Sequence, residues 1–300
     1  MSGSSKQKGE SMDISIQSQS LAENPEAGGI TLEVKLDQQD IDKLKAEGMR
    51  ALEIERSLPA EARTALADGD DDAYITDFLE MRATNDALEV RDIIPVAIPK
   101  VKSTEGLAKG EPFTCFVHVH IRPDIGLTSL EPVDLKTNRV AMPGFSQKAG
   151  LEGDENVKFL DDEKILRITM TDRLDTELPE TSMRALGEEY TEKFERELAA
   201  RGTDPDSYRA THQLDDEQYA IMMTRRALSI AHWNYVLDAV FVGNGYTITD
   251  DDLLASFEAD FPGYSQQLLE LHELRNDMYL TIEKVRRKKA YDWLTENALR

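Results

Sequence analysis

Several polar clusters in this 300-residue chain have types and spacing that invite chemistry. Residues 67–80, ADGDDDAYITDFLE, put Asp68, Asp70 and Asp72 at the first, third and fifth places of a calcium loop. That loop needs glycine at its sixth place for the turn and a bidentate glutamate at its twelfth. Ala73 and Leu79 stand there, and Glu80 comes one residue late. The run reads instead as a solvated acidic loop whose carboxylates cap a helix. His118 and His120 point the same way from a strand, which zinc could use, but spacing supplies no third ligand. His212, His232 and His272 scatter over the later, helical part. No Ser-His-Asp or Cys-His arrangement is legible, and no Gly-rich loop joins a strand to a helix. No catalytic residue, metal or cofactor is expected. KVRRKK, residues 284–289, is the one dense basic run. It could touch ribosomal RNA; the favoured reading is a helix face answering nearby acid, placed near a helix C-terminus where the dipole favours cations.

The elements carrying these residues follow from period and punctuation. Residues 1–12 offer nothing to bury and read as a disordered tail. Ile14 and Ile16 alternate with polar residues, and Ile30, Leu32, Val34 and Leu36 share one face, which predicts an antiparallel pair. Asp37, with Asp40 three residues on, signals a helix start, and Ser57-Leu58-Pro59 its end. Between them Ile41, Leu44, Gly48, Leu52 and Glu55 trace one face. A second helix follows over AYITDFLEMRATNDALEV. In residues 113–121, Phe113, Cys115, Val117, Val119 and Ile121 face one way and Thr114, Phe116, His118 and His120 the other.

Residues 138–177 read as a linker with room for one short element. Beyond it the pattern is helical: 179–201 with Met183, Leu186, Tyr190, Phe194 and Leu198 on one face; a long helix from Leu214 to Gly243; a short one from Thr249 to before Pro262; and a last one from about Tyr264 to Asn297. The expected fold class is α+β: an α+β module at 13–137, then an all-α domain at 178–300.

Composition narrows the function. Fifty-eight acidic against 35 basic residues give a formal charge of −23, which repels phosphate and argues against nucleic acid, DNA included. The single cysteine, Cys115, has no disulfide partner in the chain. The N-terminal segment lacks the apolar core of a signal peptide, and apolar runs such as IIPVAIP are too short to span a bilayer. A cytoplasmic location without membrane contact is the expectation. On the long helix, Met222, Met223, Trp233, Val236, Val240 and Phe241 exceed what one seam uses. Two readings stand: a helix buried on several sides, or an open, adaptable apolar surface.

Four motifs in order carry a family resemblance. Residues 110–127, GEPFTCFVHVHIRPDIGL, fit a GxPF strand leading to R-P-x-[IV]-x-L through Gly110, Pro112, Phe113, Arg122, Pro123, Ile125 and Leu127. Pro95-Val96 and Pro99 precede it as P-V-x-x-P. ELPETSMRALGEEY, residues 177–190, matches a V-P-E helix start. RRKKAYDWLTENA, residues 286–298, matches RRKALDFLxENA through Arg286, Arg287, Ala290, Asp292, Leu294, Glu296, Asn297 and Ala298. Over most of residues 13–300 the chain thus resembles bacterial trigger factor.

The resemblance implies a ribosome-binding-like N-terminal domain, a C-terminal chaperone domain, and ATP-independent binding of unfolded or nascent polypeptide. Two departures qualify it. The family's docking loop I-P-G-F-R-x-G-K is degenerate here: Leu58-Pro59 keeps the first pair, but Ala60, Glu61, Ala62 and Arg63 replace G-F-R-x. The turn glycine, the aromatic and the first arginine are gone, and Glu61 would repel phosphate, so ribosome binding is expected to be weak or absent. The interval from 138 to 177 is also too short for the family's FKBP-type prolyl isomerase domain, so no enzyme activity is expected. The acidic surface would favour basic or neutral clients. The rival expectation is a non-enzymatic adaptor of the same architecture, specific for one protein and not docked on the ribosome.

Overall fold

The structure is a computed structural model and describes residues 13–18, 29–103, 113–136 and 160–298. The tail read at 1–12, Gly110 and Pro112 of the strand motif, and residues 138–159 of the linker lie outside the described residues. By compactness the chain divides into two units, neither continuous in sequence. One comprises the described residues up to Arg122 with Pro179–Glu189 and Asp250–Thr281; the other holds the remainder.

The first unit is built on an antiparallel sheet of β1 (Asp13–Ser18), β2 (Gly29–Leu36), β3 (Lys100–Ser103) and β4 (Phe113–His120), ordered β1-β2-β4-β3. Register sets the apolar residues opposite one another: Ile30 with Val119, Leu32 with Val117, Val34 with Cys115, Leu36 with Phe113. All eight are buried, so the period-two pattern marks the core face as expected.

Two helices cover that face. In α1 (Gln38–Ser57) the Asp37 side chain accepts from the Asp40 amide, and α2 (Asp71–Val90) is capped likewise by Asp70. Asp68 meets Arg63 and Asp71 meets Arg56, so the acid run serves caps and ion pairs. Ile41, Leu44, Gly48, Leu52 and Glu55, the face read from sequence, are all buried. At Gly48 an added Cβ would lie 2.9 Å from Ile75 Cδ1 and 3.0 Å from Phe78 Cδ1; this glycine sets how closely α1 and α2 approach.

Three later stretches complete the unit. The start of α4 (Glu180–Ala200) is held where the Glu189 carboxylate accepts from the Ile98 amide, 2.8 Å, and Glu188 pairs with Lys100, 2.8 Å. The hairpin of α7 (Asp250–Asp260) and α8 (Ser265–Arg275) packs Phe257, Leu268 and Leu271 into the same core as the sheet. The helix expected from Tyr264 to Asn297 is therefore two, α8 and α9 (Met278–Asn297). Asn276 breaks it with φ 51°, a left-handed conformation that asparagine tolerates better than other non-glycine residues. Its amide donates to Asp86 at 2.6 Å and Glu89 at 2.8 Å, contacts that no local pattern reveals.

In the second unit α3 (Asp162–Thr171), α6 (Asp216–Gly243) and the C-terminal part of α9 enclose a core. Ile165, Leu166 and Met170 of α3 are buried there with Val133, Leu135, Ala290 and Leu294. Much of the described part of the interval expected to be a linker is thus a packed helix, capped by Asp161. Short α5 (Pro205–Thr211), with Asp204 as cap and Pro205 in its first turn, was not evident from periodicity because it has no buried residue.

Candidate functional site

α6 carries the surface residues read from sequence, and the structure sorts them. Met223, Val236 and Val240 are fully buried and Trp233 and Phe241 are 6% exposed, so these five belong to the interior. Trp233 meets Tyr291 edge to face at 6.4 Å, and the Arg167 guanidinium lies 5.0 Å over its ring. Phe241 lies beneath Arg286 and beside Tyr246, at 5.6 and 5.9 Å. The expectation that these five residues offer open surface is corrected: Trp233, Val236, Val240 and Phe241 pack in the core with α3 and α9, and Met223 is buried nearer the helix N-terminus. Met222 alone of the six keeps partial exposure.

The open apolar surface lies toward the N-terminus of the same helix. Gln218, Ile221, Met222, Arg225, Arg226 and Ser229 follow i, i+3, i+4, i+7, i+8, i+11 spacing and form one stripe. With Gln213 and Leu214 from the preceding turn they line a furrow of about 550 Å³. Ile221 is 44% exposed, and Ile230, one residue past the stripe, 48%. Local chemistry fixes this end: the Asp215 carboxylate accepts from the Gln218 amide at 2.7 Å, and the Gln218 side chain accepts from the Asp215 amide at 3.1 Å.

Aromatic contacts clamp the neighbouring helices. Within α4 Tyr190 stacks on Phe194 at 6.3 Å; between helices Phe194 meets Tyr208 at 5.2 Å, and Tyr208 lies 6.5 Å from Tyr219. Arg226 stands 5.6 Å over Phe194, and Arg209 5.3 Å over Tyr219. The Tyr219 hydroxyl donates to Glu195 at 3.4 Å; burial, then that carboxylate, pushes its pKa up. Each ring pair between helices contributes about 0.5–1.5 kcal/mol beyond area burial and so helps hold α4, α5 and α6 together.

Residues 162–296 match the family model for the C-terminus of bacterial trigger factor protein (TF). Over that span the chain is trigger-factor-like. No curated protein matches it. The match takes in the whole furrow and also α7 and α8, which pack in the first unit, so the matched stretch contributes to both compact units. No described helix is long and apolar enough to cross a membrane.

The stretch answering to trigger factor's docking loop is folded tightly. Leu58 is buried and Ala60–Ala62 form a 3-10 turn. Arg63, its one cation, donates to the Leu58 carbonyl at 2.7 Å and pairs with Asp68 at 3.2 Å, while Glu61 is exposed. Beneath it lies buried Glu55, which accepts from the Thr64 amide, from Tyr74 Oη at 2.8 Å and from Arg275. Burial first, then the neighbouring Glu55, pushes the Tyr74 hydroxyl up to about 12 against the pull of Arg275.

The other polar clusters resolve into structure. His118 and His120 touch edge to face at 5.0 Å, and His118 meets Thr31 Oγ1 at 3.2 Å. Burial, then His118, lowers the His120 pKa. Among the described residues no group of three His, Cys, Asp or Glu side chains could hold a metal ion. In the basic run Arg287 pairs with Asp238 and Glu283 at 3.0 and 3.1 Å, Lys288 with Asp292 at 2.6 Å, and Lys289 donates to the Thr247 carbonyl.

Proposed function

We propose that the chain is an ATP-independent holdase of trigger-factor type, binding unfolded or nascent polypeptide in the furrow on the N-terminal half of α6. One observation carries this reading: a furrow with an apolar floor of Leu214, Ile221 and Met222, left open on a helix inside the region matching a chaperone family. Each methylene taken from water contributes about 0.8 kcal/mol, so contacts with Leu214, Ile221 and Met222 give weak, fast-exchanging capture without nucleotide. The charge of −23 keeps a loaded complex soluble. The reading assigns no catalytic step, no cofactor and a cytoplasmic location. It treats residues 13–137 as the ribosome-binding-like module and 178–300 as the chaperone domain. Suppression of aggregation of a reduced, unfolded protein at stoichiometric ratio tests it; no suppression at any ratio counts against it.

A second reading has its own support. With Arg63 engaged by Leu58 and Asp68 and Glu61 facing water, the loop offers acid where ribosomal RNA needs a cation. That favours a protein working off the ribosome, and with it an adaptor for one partner. A pull-down returning one stoichiometric protein supports the adaptor; many substoichiometric proteins support the general chaperone.

A further inference from the structure

The charge inside the furrow is opposite to that of the chain. The net charge is −23, yet the lining carries two guanidiniums, Arg225 and Arg226, and no carboxylate. Both arginines are exposed; among the described residues neither has an ion-pair partner, and Arg226 has only the Phe194 ring. They stand three and four residues beyond Met222, one helical turn from the apolar floor formed by Leu214, Ile221 and Met222. Of the acids at the same end of α6, Asp215 caps the helix, Asp216 pairs with Arg209 at 3.3 Å, and the exposed Glu217 stands outside the furrow's lining. A guanidinium is always charged and binds carboxylate in a fork.

We propose that the furrow selects acidic amphipathic segments: short stretches of polypeptide with apolar residues for the floor and Asp or Glu about one helical turn away for Arg225 and Arg226. This deepens the holdase reading and rests on it, and it reverses the basic or neutral preference that overall charge suggests. The distances decide which wins. Long-range repulsion from the acidic surface is screened beyond about 8 Å at physiological salt, whereas a carboxylate in the furrow meets the guanidiniums at contact. The field of the whole surface slows arrival of such a segment; the lining holds it once there.

Three 14-residue peptides test this by isothermal titration, each with leucine at helical spacing and with glutamate, glutamine or lysine at the intervening positions. The glutamate peptide is expected to bind tightest, by about three- to tenfold over glutamine, the range two exposed ion pairs supply. The advantage fades in 0.5 M salt. Arg225→Glu/Arg226→Glu moves the lysine peptide to the top, and Arg225→Glu alone, which leaves the Phe194 contact intact, moves the ranking halfway. A ranking with lysine first in the wild type, or one that the charge reversals leave unchanged, overturns the proposal. So does self-association of the wild type that the reversal abolishes, because the occupant is then a second copy of this chain. Aggregation of an unfolded protein, followed in parallel, separates the two readings. Suppression without peptide selectivity keeps the holdase and removes the acidic client; selectivity without suppression does the converse.

Discussion

The Arg275 guanidinium donates to the Glu55 carboxylate, joining side chains 220 positions apart in the core of the first unit. Glu55 is fully buried and Arg275 nearly so, and Tyr74 and Thr64 complete the carboxylate's partners. This pair ties the α7–α8 hairpin to α1 and α2. Breaking such a pair leaves a buried charge uncompensated, at about 3–5 kcal/mol. Glu55→Ala should lower stability by that amount in urea unfolding. Glu55→Leu/Arg275→Leu should recover much of the loss, since a buried ion pair and an apolar pair of like volume often come out close.

Tyr74 gives the same cluster a pH signature. Its folded pKa, about 12, lies above the ordinary value of 10.0. Between those values the unfolded chain releases this proton and the fold retains it, so stability from Tyr74 is intact below pH 10 and falls as pH rises toward 12. Urea midpoints should drop over that window, and Tyr74→Phe should flatten the drop.

Gly48 sets two small effects against each other. Alanine gains about 1 kcal/mol in helix propensity, while overpacking a close helix contact costs about 1–3. With Phe78 Cγ 3.2 Å from the added carbon, the ring has little freedom to yield, and overpacking should win. Gly48→Ala should destabilise slightly and Gly48→Val by more, both read from thermal unfolding.

Much of the fold was legible because its signals are local. The faces of β2 and β4, the caps Asp37 and Asp70, the mixed face of α1 and the terminal motif at 286–298 need only neighbouring residues to be read. The candidate site was legible in part. The apolar pattern marks Met222 but not Leu214, Ile221, Arg225 or Arg226. The apolar residues of α6 are not confined to one face, so period alone cannot say which stretch α3 and α9 cover. The richest apolar run, Trp233 to Phe241, is covered; the sparser one beside two arginines is open. The break at Asn276 was hidden for a like reason, since its partners Asp86 and Glu89 come from a distant helix.

That distinction yields a paired outcome. Trp233→Ala should cost about 3–5 kcal/mol of stability, as for a buried aromatic, and show its effect in denaturation rather than in client capture. Ile221→Ser, on an exposed site, should shift stability by less than about 0.5 kcal/mol and weaken capture instead.

The docking loop can be tested by restoring what it lacks. The wild type should co-sediment with ribosomes weakly or not at all. Ala60→Gly/Glu61→Phe/Ala62→Arg removes the exposed acid and supplies turn, aromatic and cation, and should produce salt-sensitive co-sedimentation. Robust binding by the wild type would show that another surface contacts the ribosome.

A holdase of this kind must capture unfolded chains in the furrow. The decisive measurement is light scattering from a reduced, aggregating protein mixed with equimolar wild type or with Ile221→Ser/Met222→Ser, after denaturation curves confirm equal stability. Scattering suppressed by the wild type and largely restored with the variant is the expected result; equal suppression by both would place capture elsewhere and contradict the account.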